Sequence, residues 1–124
     1  MSFFIVMTKS KHTFQGRLST KFERPIRLTG AGDWEMAVTH LDIPPNNGSL
    51  FVMCDLVDYT YIDGEKHQFL DCYDTVTIRN GRPHYVRVKQ KRFNCINIEI
   101  KKKLHDVLLE SDIDIVCVLH FRKV

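Results

Sequence analysis

From Ile113 to Arg122 the chain alternates without a slip, with Ile113, Ile115, Cys117, Leu119 and Phe121 on one side and Asp114, Val116, Val118, His120 and Arg122 on the other. Period two marks a β-strand, because successive side chains point to opposite faces of a pleated sheet. A helix here would bring Asp114 and Arg122 round beside the apolar residues. The first side is wholly apolar, while the second passes from acidic through aliphatic to basic, as suits a strand crossing a sandwich.

The same rhythm recurs upstream. Trp34, Met36 and Val38 oppose Glu35, Ala37 and Thr39, and the phase then slips at Leu41 and Ile43, which predicts a bulge. Pro44-Pro45-Asn46-Asn47-Gly48 ends that strand, since consecutive prolines cannot donate to a ladder and Asn-Gly favours a turn. Leu50 to Leu56 is apolar on both faces and is expected to be a central strand covered on both sides. Asp63-Gly64 and Asn80-Gly81 each punctuate two strand-like stretches as hairpin turns of the primed type, although Pro83 close to the second removes a ladder donor. Tyr85 to Lys89 alternates cleanly, and Phe93 to Ile100 forms another strand with a phase slip near Cys95. The stretch 101–110 reads two ways, because Ile100, Leu104, Val107 and Leu108 have helical spacing while Leu108-Leu109 also fits a short edge strand.

These signals predict an all-β chain, an antiparallel β-sandwich of about eight strands forming one domain over residues 1–124. A chain of 124 residues suffices for one core without a metal or disulfide staple, and its 44% hydrophobic and 27% charged residues are those of a globular protein. Runs such as Phe3 to Met7 are far shorter than the roughly 20 residues of a membrane span. With no basic segment before it and no small-residue cleavage site after it, Phe3 to Met7 reads as a first strand, not a leader. Cys54, Cys72, Cys95 and Cys117 are widely spaced inside apolar stretches, with no Cys-x-x-Cys pair, so buried reduced thiols in a reducing, intracellular compartment are expected.

Charge is segregated along the sequence. Residues 1–32 carry Lys9, Lys11, Arg17, Lys21, Arg24 and Arg27 against Glu23. Residues 33–74 carry Asp33, Glu35, Asp42, Asp55, Asp58, Asp63, Glu65, Asp71 and Asp74 against Lys66. Residues 79–103 carry Arg79, Arg82, Arg87, Lys89, Lys91, Arg92, Lys101, Lys102 and Lys103 against Glu99. Two readings follow: acidic and basic strands neutralise each other within the sheets, or an acidic and a basic patch meet a neighbouring subunit or an acidic partner. The last block is therefore the candidate interaction surface. Its interleaving of Tyr85 and Phe93 with cations also admits nucleic acid.

Catalytic motifs are missing from the sequence. His120 and His40 read as packed or rim residues, Gly30-Ala31-Gly32 lacks the helix and lysine of a phosphate loop, and no Ser or Cys stands in a nucleophile motif. The carboxylate pairs Asp71 with Asp74 and Asp112 with Asp114 lack the oxygen-rich spacing of a calcium loop. No enzyme activity, cofactor, metal or small-molecule substrate is expected.

The order Phe14-x-x-Arg17-Leu18-x-x-x-Phe22, Pro25-Ile26-Arg27-Leu28-Thr29-Gly30, Trp34-Glu35-Met36-Ala37-Val38-Thr39 and a closing Leu119-His120-Phe121-Arg122 resembles a family of small virion proteins. That family is encoded by Maverick/Polinton elements and adintovirus-like DNA viruses of animals. In it a turn like Pro25–Gly30 separates the first strands, and relatives have a longer middle region than this chain. The resemblance implies a jelly-roll-like, non-enzymatic virion component, a minor capsid, penton-like or cement protein associating with itself or with other capsid subunits. Beside it stand a cytosolic adaptor that binds proteins through an edge strand, and a nucleic-acid-binding domain using residues 79–103.

Overall fold

The computed structural model describes residues 1–9, 15–42, 49–74, 83–102 and 114–124. Ten strands are present among them: β1 (Ser2–Lys9), β2 (Arg17–Arg27), β3 (Trp34–Asp42), β4 (Ser49–Cys54), β5 (Thr60–Ile62), β6 (Glu65–His67), β7 (Phe69–Asp74), β8 (Val86–Arg87), β9 (Arg92–Lys101) and β10 (Ile115–Lys123). Eight of them build two four-stranded sheets, ordered β1-β10-β3-β8 and β2-β9-β4-β7, and β5 with β6 forms a separate hairpin. Every pairing is antiparallel.

The pairs nest from the outside in: β1 with β10, β2 with β9, β3 with β8 and β4 with β7. This is one long antiparallel ribbon rolled up, so that β10 also meets β3 and β9 also meets β4. The result is a jelly roll, with the β5–β6 hairpin at the innermost bend of the ribbon. Asp63 and Gly64 join that hairpin with φ of 50° and 80°, the left-handed pair that a primed turn requires and that glycine adopts without strain.

Between the sheets the inward side chains form one core. Ile5, Met7, Trp34, Met36, Val38, Leu41, Ile115, Cys117, Leu119 and Phe121 come from the first sheet, and Leu18, Leu50, Val52, Cys54, Leu70, Phe93, Ile96, Ile98 and Ile100 from the second. Aromatic rings gather at one end, where Phe3 stacks on Phe121 at 5.0 Å and Phe93 of the other sheet stacks on it at 5.8 Å. Trp34 is buried with its Nε1–H donating to the Thr29 carbonyl at 3.1 Å, so the indole leaves no donor unsatisfied.

The bulge predicted near Leu41 is present. Leu119 pairs with Val38 but Val118 pairs with His40, leaving Thr39 as the extra residue and returning Leu41 to the core. The slip near Cys95 is also real, since Phe93 and Ile96 both face inward and β2 bulges opposite, with Lys21 paired to Cys95 and Ile26 to Phe93.

Several expectations need correction. Leu50, Val52 and Cys54 face the core while Phe51 and Met53 are half-buried, because β4 is central in its sheet but packed against the other sheet on one face only. Of the four thiols, all reduced, Cys54 and Cys117 are buried but Cys95 is half-buried and Cys72 exposed, as each lies on the outward phase of its strand. Pro25 to Arg27 belong to β2, and the turn starts only after them. In the stretch 101–110, Lys101 ends β9, and the remainder beyond Lys102 lies outside the described residues, as does the Asn80-Gly81 turn. No helix is present among the described residues, hence none long and apolar enough to cross a membrane.

Candidate assembly surface

The basic block does not come together as one patch. Arg87, Lys89, Lys91 and Arg92 lie around the β8–β9 turn, whereas Lys101 and Lys102 lie at the far end of β9, roughly 30 Å away at about 3.4 Å per residue. Arg79, Arg82 and Lys103 fall outside the described residues. Most of the described cations have partners within the chain. An Arg87 Nη lies 2.6 Å from an Asp33 oxygen, with Asp58 at 3.9 Å, and Lys91 donates to the Gly32 carbonyl at 2.9 Å. Lys89 and Lys66 both stand over the Tyr59 ring, at 4.7 and 4.4 Å, and Lys101 is 3.6 Å from Glu99. Arg92 and Lys102 are exposed. Acidic and basic segments thus neutralise each other where Arg87 meets Asp33 and Asp58, the first of the two readings of the charge blocks.

The aromatic side of a nucleic-acid platform is also depleted. Phe93 is only 5% exposed and belongs to the core. Tyr85 is at the surface, but the Arg122 guanidinium covers its ring at 3.4 Å.

A different surface stands out, the outer face of the β1-β10-β3-β8 sheet. Phe4 and Val6 of β1 are 61% and 58% exposed. In register beside them come His120 and Val118 of β10, then Ala37 and His40 of β3. Phe4 stacks on the His120 ring at 4.5 Å, and His120 Nδ1 shares a hydrogen bond of 2.8 Å with the Tyr85 hydroxyl. To reach His120 from its place before β8, Tyr85 must pass over residue 37, and Ala37 is 0% exposed. The small side chain makes that crossing possible. Arg122, over Tyr85, donates through Nε to Glu35 at 2.6 Å. The face is therefore an aromatic and aliphatic strip in which Arg122 and Glu35 are paired at one end.

The sequence reading missed Phe4 and Val6. Their signal was present: Phe3 to Met7 is apolar at every position, although a strand covered on one face only should alternate.

Elsewhere, an open cleft of about 290 Å³ beside the hairpin is lined by Tyr59, Lys66, Gln68, Asp55, Asn97 and Glu99 among others. Asp55 accepts from the Asn97 backbone and side-chain amides at 3.0 and 2.8 Å, a contact that holds the β4–β9 end together. Among the described residues no group of three or more His, Cys, Asp or Glu side chains could hold a metal ion. The buried thiols of Cys54 and Cys117 are pushed up to about 12 by burial, which keeps both protonated. Compared with known protein families, curated proteins and solved structures, the chain matches none.

Proposed function

We propose that this chain is a non-enzymatic structural subunit, a minor capsid, penton-like or cement component of a DNA virus or virus-derived element. The observation that carries the reading is the exposed Phe4–Val6 strip on an open-edged sheet, since a jelly roll presenting such a strip is suited to joining other subunits. Capsid, lectin and cupin domains share the architecture, so the fold alone does not choose among them. The sequence resemblance to small virion proteins adds the direction. The adaptor reading uses the same edge for a foreign strand. The nucleic-acid reading is the least supported, with Phe93 buried and Arg87 and Lys91 engaged within the chain.

Sedimentation of the purified chain over a range of concentrations tests the proposal. Association that persists at high salt is expected, because an apolar contact does not depend on charges that salt screens over a few ångströms. A chain that stays monomeric throughout, yet binds duplex DNA with a log–log salt slope of roughly −0.9 per phosphate contacted, would overturn it.

A further inference from the structure

We propose that β1 pairs antiparallel with β1 of a second copy, about a two-fold axis at Ile5, joining two four-stranded sheets into one continuous sheet of eight. The proposal rests on the assembly reading and specifies its contact.

The direction of the backbone groups comes first. Lys123 N–H donates to the Met1 carbonyl at 3.2 Å, which continues the β1–β10 register in which Ser2 pairs with Arg122 and Phe3 with Phe121. Bonded and non-bonded pairs alternate along an antiparallel ladder. Phe3, Ile5 and Met7 therefore turn their N–H and C=O groups toward β10, while Ser2, Phe4, Val6 and Thr8 turn theirs toward the open edge. The other side of β10 agrees. Val124 N–H donates to the Asp33 carbonyl at 2.9 Å, so the even residues of β10 bond β3 and its odd residues bond β1. Among the described residues β1 pairs with β10 alone.

Even residues of one copy can bond only even residues of another, which places the two-fold axis on a residue, and near the middle of the strand that residue is Phe4, Ile5 or Val6. An axis at Ile5 sets Phe4 against Val6 and Ser2 against Thr8, in both directions. An axis at Phe4 would set Ser2 against Val6, and one at Val6 would set Phe4 against Thr8. Only the axis at Ile5 matches apolar with apolar and hydroxyl with hydroxyl, the self-complementarity that a two-fold interface demands. On the outer face it makes one apolar row running from His120 through Phe4 to Val6 and Val118 of the second copy.

Charge and area identify the occupant. No residue from Ser2 to Thr8 is charged, so an acidic or basic segment gains nothing at this edge, whereas a second copy meets it without repulsion. Open edges are ordinarily blunted by charges, proline or bulges, and from Ser2 to Thr8 this one has none of them, its single charge standing at the end of the strand on Lys9. A pairing seven residues long buries several hundred Å², below the roughly 1,200 Å² of a stable dimer. That makes it a weak contact in isolation, suited to a shell in which each subunit makes several.

Cross-linking tests the register. In a Cys72→Ser, Cys95→Ser background, Phe4→Cys and Val6→Cys are made as separate proteins. The bonded pair would hold their Cα atoms about 5.5 Å apart, within disulfide range. Mixing the two under mild oxidation should give cross-linked dimer, and neither protein alone should. Both sites are exposed, so unchanged melting verifies the fold, and Val6→Lys should weaken self-association roughly tenfold or more. A mixture that cross-links no better than either protein alone overturns the register. If wild-type chain associates while cross-linking and Val6→Lys are without effect, the β1 contact fails and the assembly reading survives. If the β1 disulfide forms but nothing larger than a dimer is ever seen, the contact holds and the shell reading fails.

Discussion

Two edge strands, β1 and β2, run along the same side of the sandwich, one in each sheet, and they are built in opposite ways. β2 carries Arg17, Lys21, Glu23, Arg24 and Arg27, includes Pro25, and bulges between Lys21 and Ile26 where it meets β9. Each of those features discourages another strand from adding to it. β1 is unbroken in register and carries its only charge at Lys9, with two large apolar side chains facing out. Inwardly the strands are alike, since Ile5 and Met7 from one and Leu18 from the other enter the same core. Protection has been built into one rim and left out of the other.

If the two strands differ only at their rims, a change in the shared core should cost both equally and cost most. Phe121→Ala removes the ring on which both Phe3 and Phe93 stack, and a loss of about 3–5 kcal/mol in chemical denaturation is expected. Leu119→Ala should cost about 2–5 kcal/mol. Wild-type melting of both variants would contradict the assigned face.

Ala37→Leu comes next. It puts three more carbons under the Tyr85 crossing, so about 1–3 kcal/mol should be lost together with the Tyr85–His120 hydrogen bond. The histidine proton resonances in NMR spectra would report that bond directly.

Alkali asks whether the core is equally dry on both sheets, since Cys117 lies on β10 and Cys54 on β4. The unfolded chain gives up these thiol protons near 9.0, and the folded chain holds them to about 12. The stability linked to them is therefore whole below pH 9 and is lost as pH rises toward 12, by at most about 1.4 kcal/mol per pH unit for each thiol. Urea midpoints measured from pH 8 to 11 should fall accordingly, and Cys54→Ala should flatten the slope. Thiol reagents should label Cys72 first, Cys95 later, and Cys54 and Cys117 only on unfolding.

The smallest effect on stability is expected at the rims. Val6→Lys should leave the unfolding free energy within about 0.5 kcal/mol of wild type while suppressing association. The reverse experiment sharpens the contrast: Lys21→Thr, Arg24→Thr and Pro25→Val together should make β2 adhesive where it was inert, visible as new concentration-dependent sedimentation.

Period two carried most of the fold. β10 was legible residue by residue because one face is buried and the other is half-exposed, and the bulge at Thr39 was legible because it displaced Leu41 by one position. β4 was not, since apolar residues on both faces leave no phase to read, and the choice of Leu50 and Val52 over Phe51 and Met53 came from the opposing sheet. Which of the two readings of the charge blocks applies was not legible in the sequence, for a physical reason. Linear charge blocks say nothing of partners brought in from elsewhere, and Asp33, Asp58 and the Gly32 carbonyl come from segments far from residues 87–91. Strand order, which needs the pairing of distant segments, was beyond any local pattern.

The outside-in pairing also has a consequence for synthesis. β1 is made first, yet its partner β10 begins only at Ile115, so more than a hundred residues must leave the ribosome before the ladder can close. Chains rich in such distant contacts fold slowly, and a sticky strand waiting for its partner is the segment most exposed to the wrong one. During that wait Phe3 to Met7 is an apolar ribbon bare on both edges. On a polysome, neighbouring nascent chains would present the same ribbon at high local concentration, so the proposed β1–β1 pairing would have to be held off until residues 115–123 arrive.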